Sequence, residues 1–337
     1  MVEIDGSMGE GGGQVLRTAL TLAAITGRSL HIQGIRGRRR RAGLLSQHLT
    51  AVRATAELCG ARVEGAELRS RELVFHPGSL RPGAYRHDIG TAGSVCLVLQ
   101  AVLPALTLAP GPSQLHLRGG THNGMAPPVH FLDRVLVPLL GRMGVQVHLD
   151  LHRWGFYPRG GGVLGVHIEP AGRFLPLHLV DRGAVRAVRA TAVVAGLPRH
   201  IARRELQVVR RMLPGAEVEV EVLDRRQGPG NVLMVEVECA GLTELFTGFG
   251  TRGLPAEQVA AGVCEEVDRW LAAGVPVGEH LADQLVLPLA LAGSGRFRTT
   301  RPSSHTLTNL EVVGRFLEVE LAVEERAGSW EVRAGGP

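Results

Sequence analysis

The sequence contains no lysine, so all 37 residues counted as lysine or arginine are arginine. Enzymes that activate a nucleic-acid end with ATP usually carry the adenylyl group on a lysine, and that route is closed to this chain. The chain has 14 histidines, and a neutral imidazole is an effective nucleophile near pH 7. If the protein forms a covalent nucleotide intermediate, histidine is therefore the leading nucleophile.

Aromatic residues are also scarce. They make up 4% of the sequence while hydrophobic residues make up 45%, so the core must consist mainly of leucine, valine and alanine. The length of 337 residues suggests two domains of about 150 residues each. The net charge of +5 fits an anionic partner such as a nucleotide or RNA, although a general preference for arginine explains it equally well.

Cysteines and long apolar runs are few. The four cysteines are far apart and form no CxxC pair, which predicts buried free thiols in a reducing cytosol rather than a zinc site or disulfides; they are Cys59, Cys96, Cys239 and Cys264. No apolar stretch approaches the roughly 20 residues that span a bilayer, and the N-terminus lacks a signal-peptide pattern. We expect a cytoplasmic protein that is not associated with a membrane.

One unit is repeated three times along the chain. Each copy has a helix, a strand, a second helix and a second strand, and a glycine-rich loop opens the first two copies. Residues 30–34 (LHIQG) parallel residues 115–119 (LHLRG), and a degenerate third copy spans about 279–323. Helices are predicted at 14–26, 44–58, 94–107, 129–143, 279–292 and 305–315. Each unit is too small to bury its own apolar face, so the units should pack together.

A different segment separates the second and third copies. In it Val218, Val220 and Val222 alternate with glutamates, which indicates a strand with one solvated face. The sequence therefore predicts an α/β fold with paired helices on sheets. Residues 1–183 and 275–337 form a large catalytic domain of three repeats, and residues 184–274 form a small inserted α/β domain.

Two N-terminal loops are candidate anion sites. Glycines at 9–13 precede a helix that carries Arg17, and free N–H groups at a helix start can bind an anion; the alternative is a tight strand-to-helix turn. The segment 36–41 has five arginines in six residues. Guanidinium groups pair with phosphate oxygens, which favours phosphate contact over a solvated basic loop.

Two further motifs leave alternatives open. Three consecutive glycines at 160–162 suggest a close backbone approach, which serves either ligand contact or a structural bulge. Asp283 and Gln284 fall in the first turns of a helix, where the carboxylate caps the helix or reaches a metal–nucleotide. A lone histidine usually lies on the surface or in packing, but His305 lies at a helix start within a polar window.

Taken together, these segments resemble the RNA 3′-terminal phosphate cyclase family. The matching motifs cover essentially the whole chain, at residues 5–6, 9–14, 16–17, 43–45, 47–51, 90–94, 155–158, 160–162, 227–231, 281–284, 304–305 and 308–309. The resemblance implies three repeated units of two helices packed on a four-stranded sheet, with a small α/β domain inserted before the third.

The resemblance also implies an activity. The family converts an RNA 3′-terminal phosphate to a 2′,3′-cyclic phosphodiester, using ATP and a divalent metal (Mg²⁺ or Mn²⁺). A covalent histidine-AMP and an RNA-ppA species are intermediates, and AMP and pyrophosphate are released. The expected partner is therefore an RNA with a 3′-terminal phosphate.

Site residues are implied by position. His305 becomes adenylylated, and Glu10 holds the metal. Four residues bind phosphate or RNA: Arg17, Arg36, Arg39 and Gln47. Seven form the ATP pocket: Gln100, Pro127, His280, Leu281, Ala282, Asp283 and Gln284. The family commonly has a tyrosine where this chain has His280, and a basic residue where it has Trp154.

Two other functions remain as alternatives. A catalytically inactive relative could serve as a binding protein in ribosome assembly, but such relatives lack the nucleophile and this chain has His305. An enolpyruvate-type transferase is built from similar repeated units, and it would not form a histidine-AMP intermediate.

Overall fold

The computed structural model describes residues 1–326 and 328–336. Its α-helices are α1 (Gly13–Thr26), α2 (Ser46–Cys59), α3 (Val95–Thr107), α4 (Val129–Phe131), α5 (Val137–Arg142), α6 (His200–Met212), α7 (Ala256–Ala273), α8 (Glu279–Ala292) and α9 (Ser304–Gly314). A π-helical turn, Leu132–Leu136, joins α4 to α5, and Arg225–Gln227 is a 3₁₀ turn. None of these helices is both long and apolar enough to cross a bilayer.

The strands form four sheets of four strands. They are β1 (Val2–Asp5), β2 (Leu30–Gln33), β3 (Arg62–Glu64), β4 (Leu73–His76), β5 (Ala84–Asp88), β6 (Ser113–Gly119), β7 (Gln146–Arg153), β8 (Gly162–Glu169), β9 (Leu177–Leu179), β10 (Val185–Ala195), β11 (Glu217–Leu223), β12 (Gly230–Cys239), β13 (Thr243–Phe249), β14 (Gly295–Thr299), β15 (Leu321–Arg326) and β16 (Ser329–Ala334).

Three of the sheets share one connectivity. Their orders are β1-β2-β4-β3, β5-β6-β8-β7 and β9-β14-β16-β15. In each sheet the first two strands are parallel and the remaining pairs are antiparallel. A helix crosses between the two parallel strands, as a parallel pair requires. The predicted fold class, three units of two helices on a four-stranded sheet, is confirmed.

The fourth sheet, β11-β10-β12-β13, is formed by the segment of the chain between β9 and α8. Its side chains alternate between two cores. Val194 and Val235 pack with α6 and α7, whereas Val193 and Met234 belong to the main core of the repeats. Alternation places successive side chains on opposite faces of a sheet, so one face is covered by its own helices and the other docks on the three units. We retain 184–274 as the proposed bounds of this inserted domain.

The units are joined through their helices. Thr21 of α1 donates to the carbonyl oxygen of Ala101 in α3 at 2.8 Å. Thr18, also in α1, donates to Asn309 in α9 at 2.7 Å, and this bond is buried. Unit one therefore packs against both unit two and unit three, and the start of α9 is brought to the start of α1.

Some element bounds differ from the sequence predictions. The helix predicted at 129–143 is interrupted by the π-helical turn. Pro138 lies at the start of α5 and has no N–H for the carbonyl four residues earlier, which accounts for the wider turn. The second strand of the third copy, which the sequence places after the helix predicted at 305–315, begins only at Leu321, because Phe316 and Leu317 still donate to Val313 at the end of α9.

Candidate active site

The start of α9 is held by a carboxylate from α8. The N-cap residue is Ser303, whose Oγ accepts from the N–H of Thr306 at 3.0 Å and donates to Asp283 Oδ1 at 2.6 Å. The Thr306 hydroxyl donates to the same carboxylate oxygen at 2.6 Å. Asp283 therefore does not cap α9 itself; it accepts from the hydroxyls of the cap residue Ser303 and of Thr306, and so holds the start of α9 in place. His305, the second residue of α9, is fixed in this frame.

His305 makes one short side-chain hydrogen bond. Its Nδ1 lies 2.7 Å from Oε1 of Gln14 in α1. An amide oxygen only accepts, so Nδ1 carries the proton and Nε2 keeps its lone pair. Burial lowers the pKa of His305, and the charges of Arg39 and Arg17 lower it further, while Asp283 opposes them. The imidazole is therefore neutral near pH 7, and Nε2 has a free lone pair.

Glu10 supplies a buried carboxylate beside this histidine. Its side chain is 6% exposed, its Oε1 lies 3.5 Å from Nδ1 of His305, and its Oε2 accepts from Arg39. Its backbone N–H donates to Oγ1 of Thr308 at 3.3 Å. A Cβ atom at Gly12 would overlap the Glu10 carboxylate, so a larger residue there would displace this side chain. Gly12 is also the N-cap of α1 and provides no side-chain cap, which leaves first-turn N–H groups for an anion.

Arg17 lies one turn further along α1. Within residues 1–326 and 328–336 it forms no salt bridge, and burial lowers its pKa to about 10, so it remains a cation at pH 7. Its charge acts on both His305 and His48. A half-buried guanidinium without a carboxylate partner binds an anion strongly because little water must be removed. Arg17 therefore has a cationic group available for an anion, and phosphate binding by it stays a prediction.

His48 lies beside Arg17 and is neutral. Burial, with the charges of Arg17 and Arg36, lowers the pKa of His48 to about 3. Its Nδ1 accepts from the backbone N–H of Leu45 at 3.2 Å, so its Nε2 carries the proton. A Cβ at Gly13 would collide with that nitrogen, which places the His48 donor against the start of α1.

Arg36 and Gln47 are engaged in local structure. The Arg36 guanidinium donates to the carbonyl oxygens of Arg41 and Gly43 and closes the arginine loop on itself. Gln47 Oε1 accepts from the N–H of Ser94 at 2.9 Å and joins unit one to unit two. Phosphate contact by these two residues stays a prediction.

The residues predicted for the ATP pocket are only partly brought together. Gln100 of α3 donates to Gln284 of α8. Leu281 and Ala282 are buried in the core, and His280 is exposed. Pro127 lies in the loop after β6, and the hydrogen bonds of the described residues do not connect that loop to α8. These roles in nucleotide binding therefore remain predictions.

A metal could be held here only with help from the substrate. Across the described ranges, no group of three or more histidine, cysteine, aspartate or glutamate side chains could hold an ion. Glu10 offers a carboxylate oxygen 3.5 Å from His305, and the charge of Asp283 also acts on this histidine. Mg²⁺ is commonly held by one or two carboxylates with water and substrate phosphates, so the donor set fits a metal that arrives with a nucleotide.

Several residues that shape the site were not predicted as site residues: Gln14, His48, Ser303, Thr306 and Asn309. Gln14 and Asn309 make contacts across 291 positions, and Ser303 and Thr306 reach Asp283 from 20 and 23 positions away, so no local pattern reveals these contacts. The available signal was their position within the motifs at 9–14, 47–51 and 304–309, where polar residues cluster at helix starts.

A comparison with known protein families gives the same family that the sequence motifs indicate. Residues 8–323 match the family described as RNA 3′-terminal phosphate cyclase, an RNA-processing activity of the ligase type. Among solved structures, the enolpyruvyl transferase NikO from Streptomyces tendae is similar with a TM-score of 0.39 and 11% identity. That likeness covers 98% of this chain and 48% of that one, so the chain spans about half the length of the transferase. The match over nearly the whole chain shows that this protein belongs to the RNA 3′-terminal phosphate cyclase family.

Proposed function

We propose that the protein is an ATP-dependent RNA 3′-terminal phosphate cyclase that works through a covalent adenylate on His305. The observation that carries the proposal is the hydrogen bond between His305 Nδ1 and Gln14, which leaves Nε2 as a free nucleophile. The lowered pKa of His305 supports it, because the attacking imidazole must be neutral.

In the first step, Nε2 of His305 attacks the α-phosphorus of ATP and the bond to pyrophosphate breaks. The product carries a phosphorus on Nε2 and a proton on Nδ1, so the ring becomes a cation. Gln14 accepts from that proton, and the Glu10 carboxylate lies 3.5 Å away. Both groups stabilise the charge that develops on the ring.

In the second step, an oxygen of the RNA 3′-phosphate attacks the phosphorus of the adenylate. The N–P bond breaks and RNA(3′)ppA forms. In the third step, the neighbouring 2′-hydroxyl attacks the 3′-phosphorus and expels AMP, which leaves the 2′,3′-cyclic phosphodiester. The internal hydroxyl is already held against phosphorus, so the ring closure needs little further ordering.

The remaining residues are assigned by their surroundings. Arg17 and Arg39 bind phosphate, with Arg36 and Gln47 supporting the loops around them. Arg39 pairs with Glu10 in this structure, and a phosphate oxygen offers its guanidinium an equivalent partner. The nucleotide pocket is proposed to consist of Gln100, Pro127 and the segment from His280 to Gln284. A divalent metal held by Glu10 would neutralise charge on the nucleotide phosphates.

The cytoplasm is the proposed compartment. All four cysteines are free and buried, as expected in a reducing environment.

The test is turnover of two matched oligonucleotides with 3′-phosphates, one with a 2′-hydroxyl and one with a 2′-deoxy terminal sugar. We expect the first to give the cyclic ester, AMP and pyrophosphate. The second should accumulate the adenylylated end, because it has no internal attacking oxygen. Equal AMP release from both, with no trapped species, would mean that water is the acceptor and that the protein is a hydrolase.

A further inference from the structure

The loop between β7 and β8 is locked to a turn of the inserted domain. The N–H of Trp154 donates to Gln227 Oε1 at 2.9 Å, and Arg159 donates to the carbonyl of Gly228 at 3.2 Å. A Cβ at Gly230 would overlap the ring of Phe156. The glycines of both motifs thus serve close packing, whereas several polar side chains around them are left at the surface.

These surface side chains line a basic cleft of about 450 Å³, formed by Arg159, Gly196, Arg225, Arg226, Gly228 and Pro229. All three arginines are exposed, and the lining contains no acidic residue. Of these three arginines, only Arg226 has a carboxylate partner within the described part of the chain, and that partner is Asp224. Two guanidinium charges are therefore left for an external anion.

An exposed aromatic ring lies in the same loop. Tyr157 is 75% exposed and is two residues before Arg159, whereas Tyr85, the only other tyrosine of the sequence, is 8% exposed. An exposed phenol ring has a large apolar surface that can be buried when a planar group stacks on it. Arginines that track phosphates beside a ring that stacks on bases are the usual composition of a surface for single-stranded nucleic acid.

The loop also touches the catalytic half of the molecule. Gly160 has φ +66, and a Cβ there would lie 2.8 Å from Cα of Ala92. The same glycine loop of unit two leads into Ser94, whose N–H donates to Gln47 of unit one. The loop that carries Arg159 thus contacts the glycine loop of unit two that is hydrogen-bonded to Gln47, one of the phosphate candidates of unit one.

We propose that this cleft, together with Tyr157 of the same loop, binds the single-stranded RNA segment on the 5′ side of the terminal phosphate. The inference rests on the proposed function, because it assumes that the RNA end lies at His305. Recognition is by phosphate charge and base stacking, so it tolerates different sequences.

The first measurement is equilibrium binding of single-stranded RNA of about 12 nucleotides with a 3′-hydroxyl end, over a range of salt. Each phosphate contact contributes about 0.7 to the slope of log K against log salt for single strands. R159Q/R225Q should therefore lower that slope by roughly 1.4. Tyr157→Ala should weaken binding about tenfold and leave the slope unchanged. R225Q alone should lower the slope by about 0.7, and it removes a side chain that makes no hydrogen bond within residues 1–326 and 328–336.

The matched control is R86Q/R269Q. Both arginines are exposed, lie on β5 and α7, and form no salt bridge in the described structure. The control should bind RNA with the affinity and salt slope of the unmodified protein. Slopes that are the same for the control and for R159Q/R225Q would overturn the proposal.

The second measurement separates this proposal from the proposed function. The kcat/KM for a 3′-phosphorylated oligonucleotide, divided by that for a 3′-phosphorylated dinucleotide, should fall about tenfold in Tyr157→Ala. If the unmodified protein cyclises both substrates and the variants keep the same ratio, RNA binding by the cleft is refuted and the cyclase activity is supported. If the unmodified protein binds RNA through the cleft but cyclises neither substrate, RNA binding by the cleft is supported and the cyclase activity is refuted.

Discussion

His305 and His130 occupy the same position in two copies of the repeat and differ in chemistry. Each is the second residue after the N-cap of its unit's second helix, with Ser303 and Pro128 as the N-caps. His305 Nδ1 donates to an amide oxygen, whereas His130 Nδ1 lies 2.9 Å from Nε2 of His122.

The tautomer of His130 follows from the chain of bonds behind it. The Thr121 hydroxyl accepts from the N–H of Gly155 and lies 2.8 Å from His122 Nδ1, whereas the Gly155 carbonyl is 3.5 Å away. The hydroxyl proton therefore goes to His122 Nδ1, and His122 donates from Nε2 to His130 Nδ1. The proton of His130 is left on Nε2, so its tautomer is opposite to that of His305.

The first helices of the units diverge in the same way. Counting five residues from the N-caps Gly12, Ser94 and Gly278 gives Arg17, Leu99 and Asp283. The same position of the repeat is therefore occupied by a basic residue in unit one, a buried apolar residue in unit two and an acidic residue in unit three. The repeated backbone provides helix starts, and the side chains around each start decide whether it does chemistry.

The largest expected difference between the units comes from Arg17→Ala compared with Leu99→Ala. Arg17→Ala removes a charge-assisted phosphate contact worth about 1.5–3 kcal/mol. It should therefore lower kcat/KM for RNA roughly 10- to 150-fold, with little change in Tm. Leu99→Ala opens a cavity in the core and should cost about 2–5 kcal/mol of stability. Matched losses of Tm in the two variants would mean that Arg17 is structural.

Gln14→Glu tests whether the neighbour of His305 sets its protonation. The pKa of His305 lies below its ordinary value of 6.5, so the rate of adenylate formation should be flat above pH 6.5 and fall as the pH drops. A carboxylate facing Nδ1 favours the charged ring and should raise that pKa, so the fall in rate, about tenfold for each pH unit below the pKa, should begin at a higher pH. Gln14→Leu, which adds no charge, is the control. An unchanged pH profile in Gln14→Glu would contradict the assigned hydrogen bond.

The smallest expected effect concerns Gln100 and Gln284, which occupy equivalent positions of units two and three and are hydrogen-bonded to each other. Alanine at either position should raise KM for ATP by a factor equivalent to about 0.5–1.5 kcal/mol. The double variant should cost less than the sum of the two, because both substitutions remove the same bond. Fully additive costs would show that the two amides act separately.

The sequence predicted the elements that have strong periodicity. The helices α1 and α8 and the strand β11 were placed correctly, because their apolar residues recur at helical or alternating spacing. Short strands such as β1 and β4 were not predicted, because four residues carry too little pattern and pairing with distant strands defines them.

The site was predictable in type more than in geometry. A histidine at a polar helix start suggested a nucleophile, and the glycine and arginine loops suggested anion contacts; these roles stay predictions. The bond from Gln14 to His305 joins residues 291 positions apart, and the carboxylate of Asp283 accepts from the cap residue of a helix other than its own. Such contacts depend on how the units pack, which no local spacing encodes.

The most direct test of the account is covalent labelling with α-labelled ATP and a divalent metal, in His305→Ala and His130→Ala. The account predicts a label that is lost in acid and survives base, maps to the peptide containing His305, disappears in His305→Ala and persists in His130→Ala. A label that survives in His305→Ala, or the absence of any label on the unmodified protein, would contradict it. The latter result would instead favour a binding protein or an enolpyruvate-type transferase.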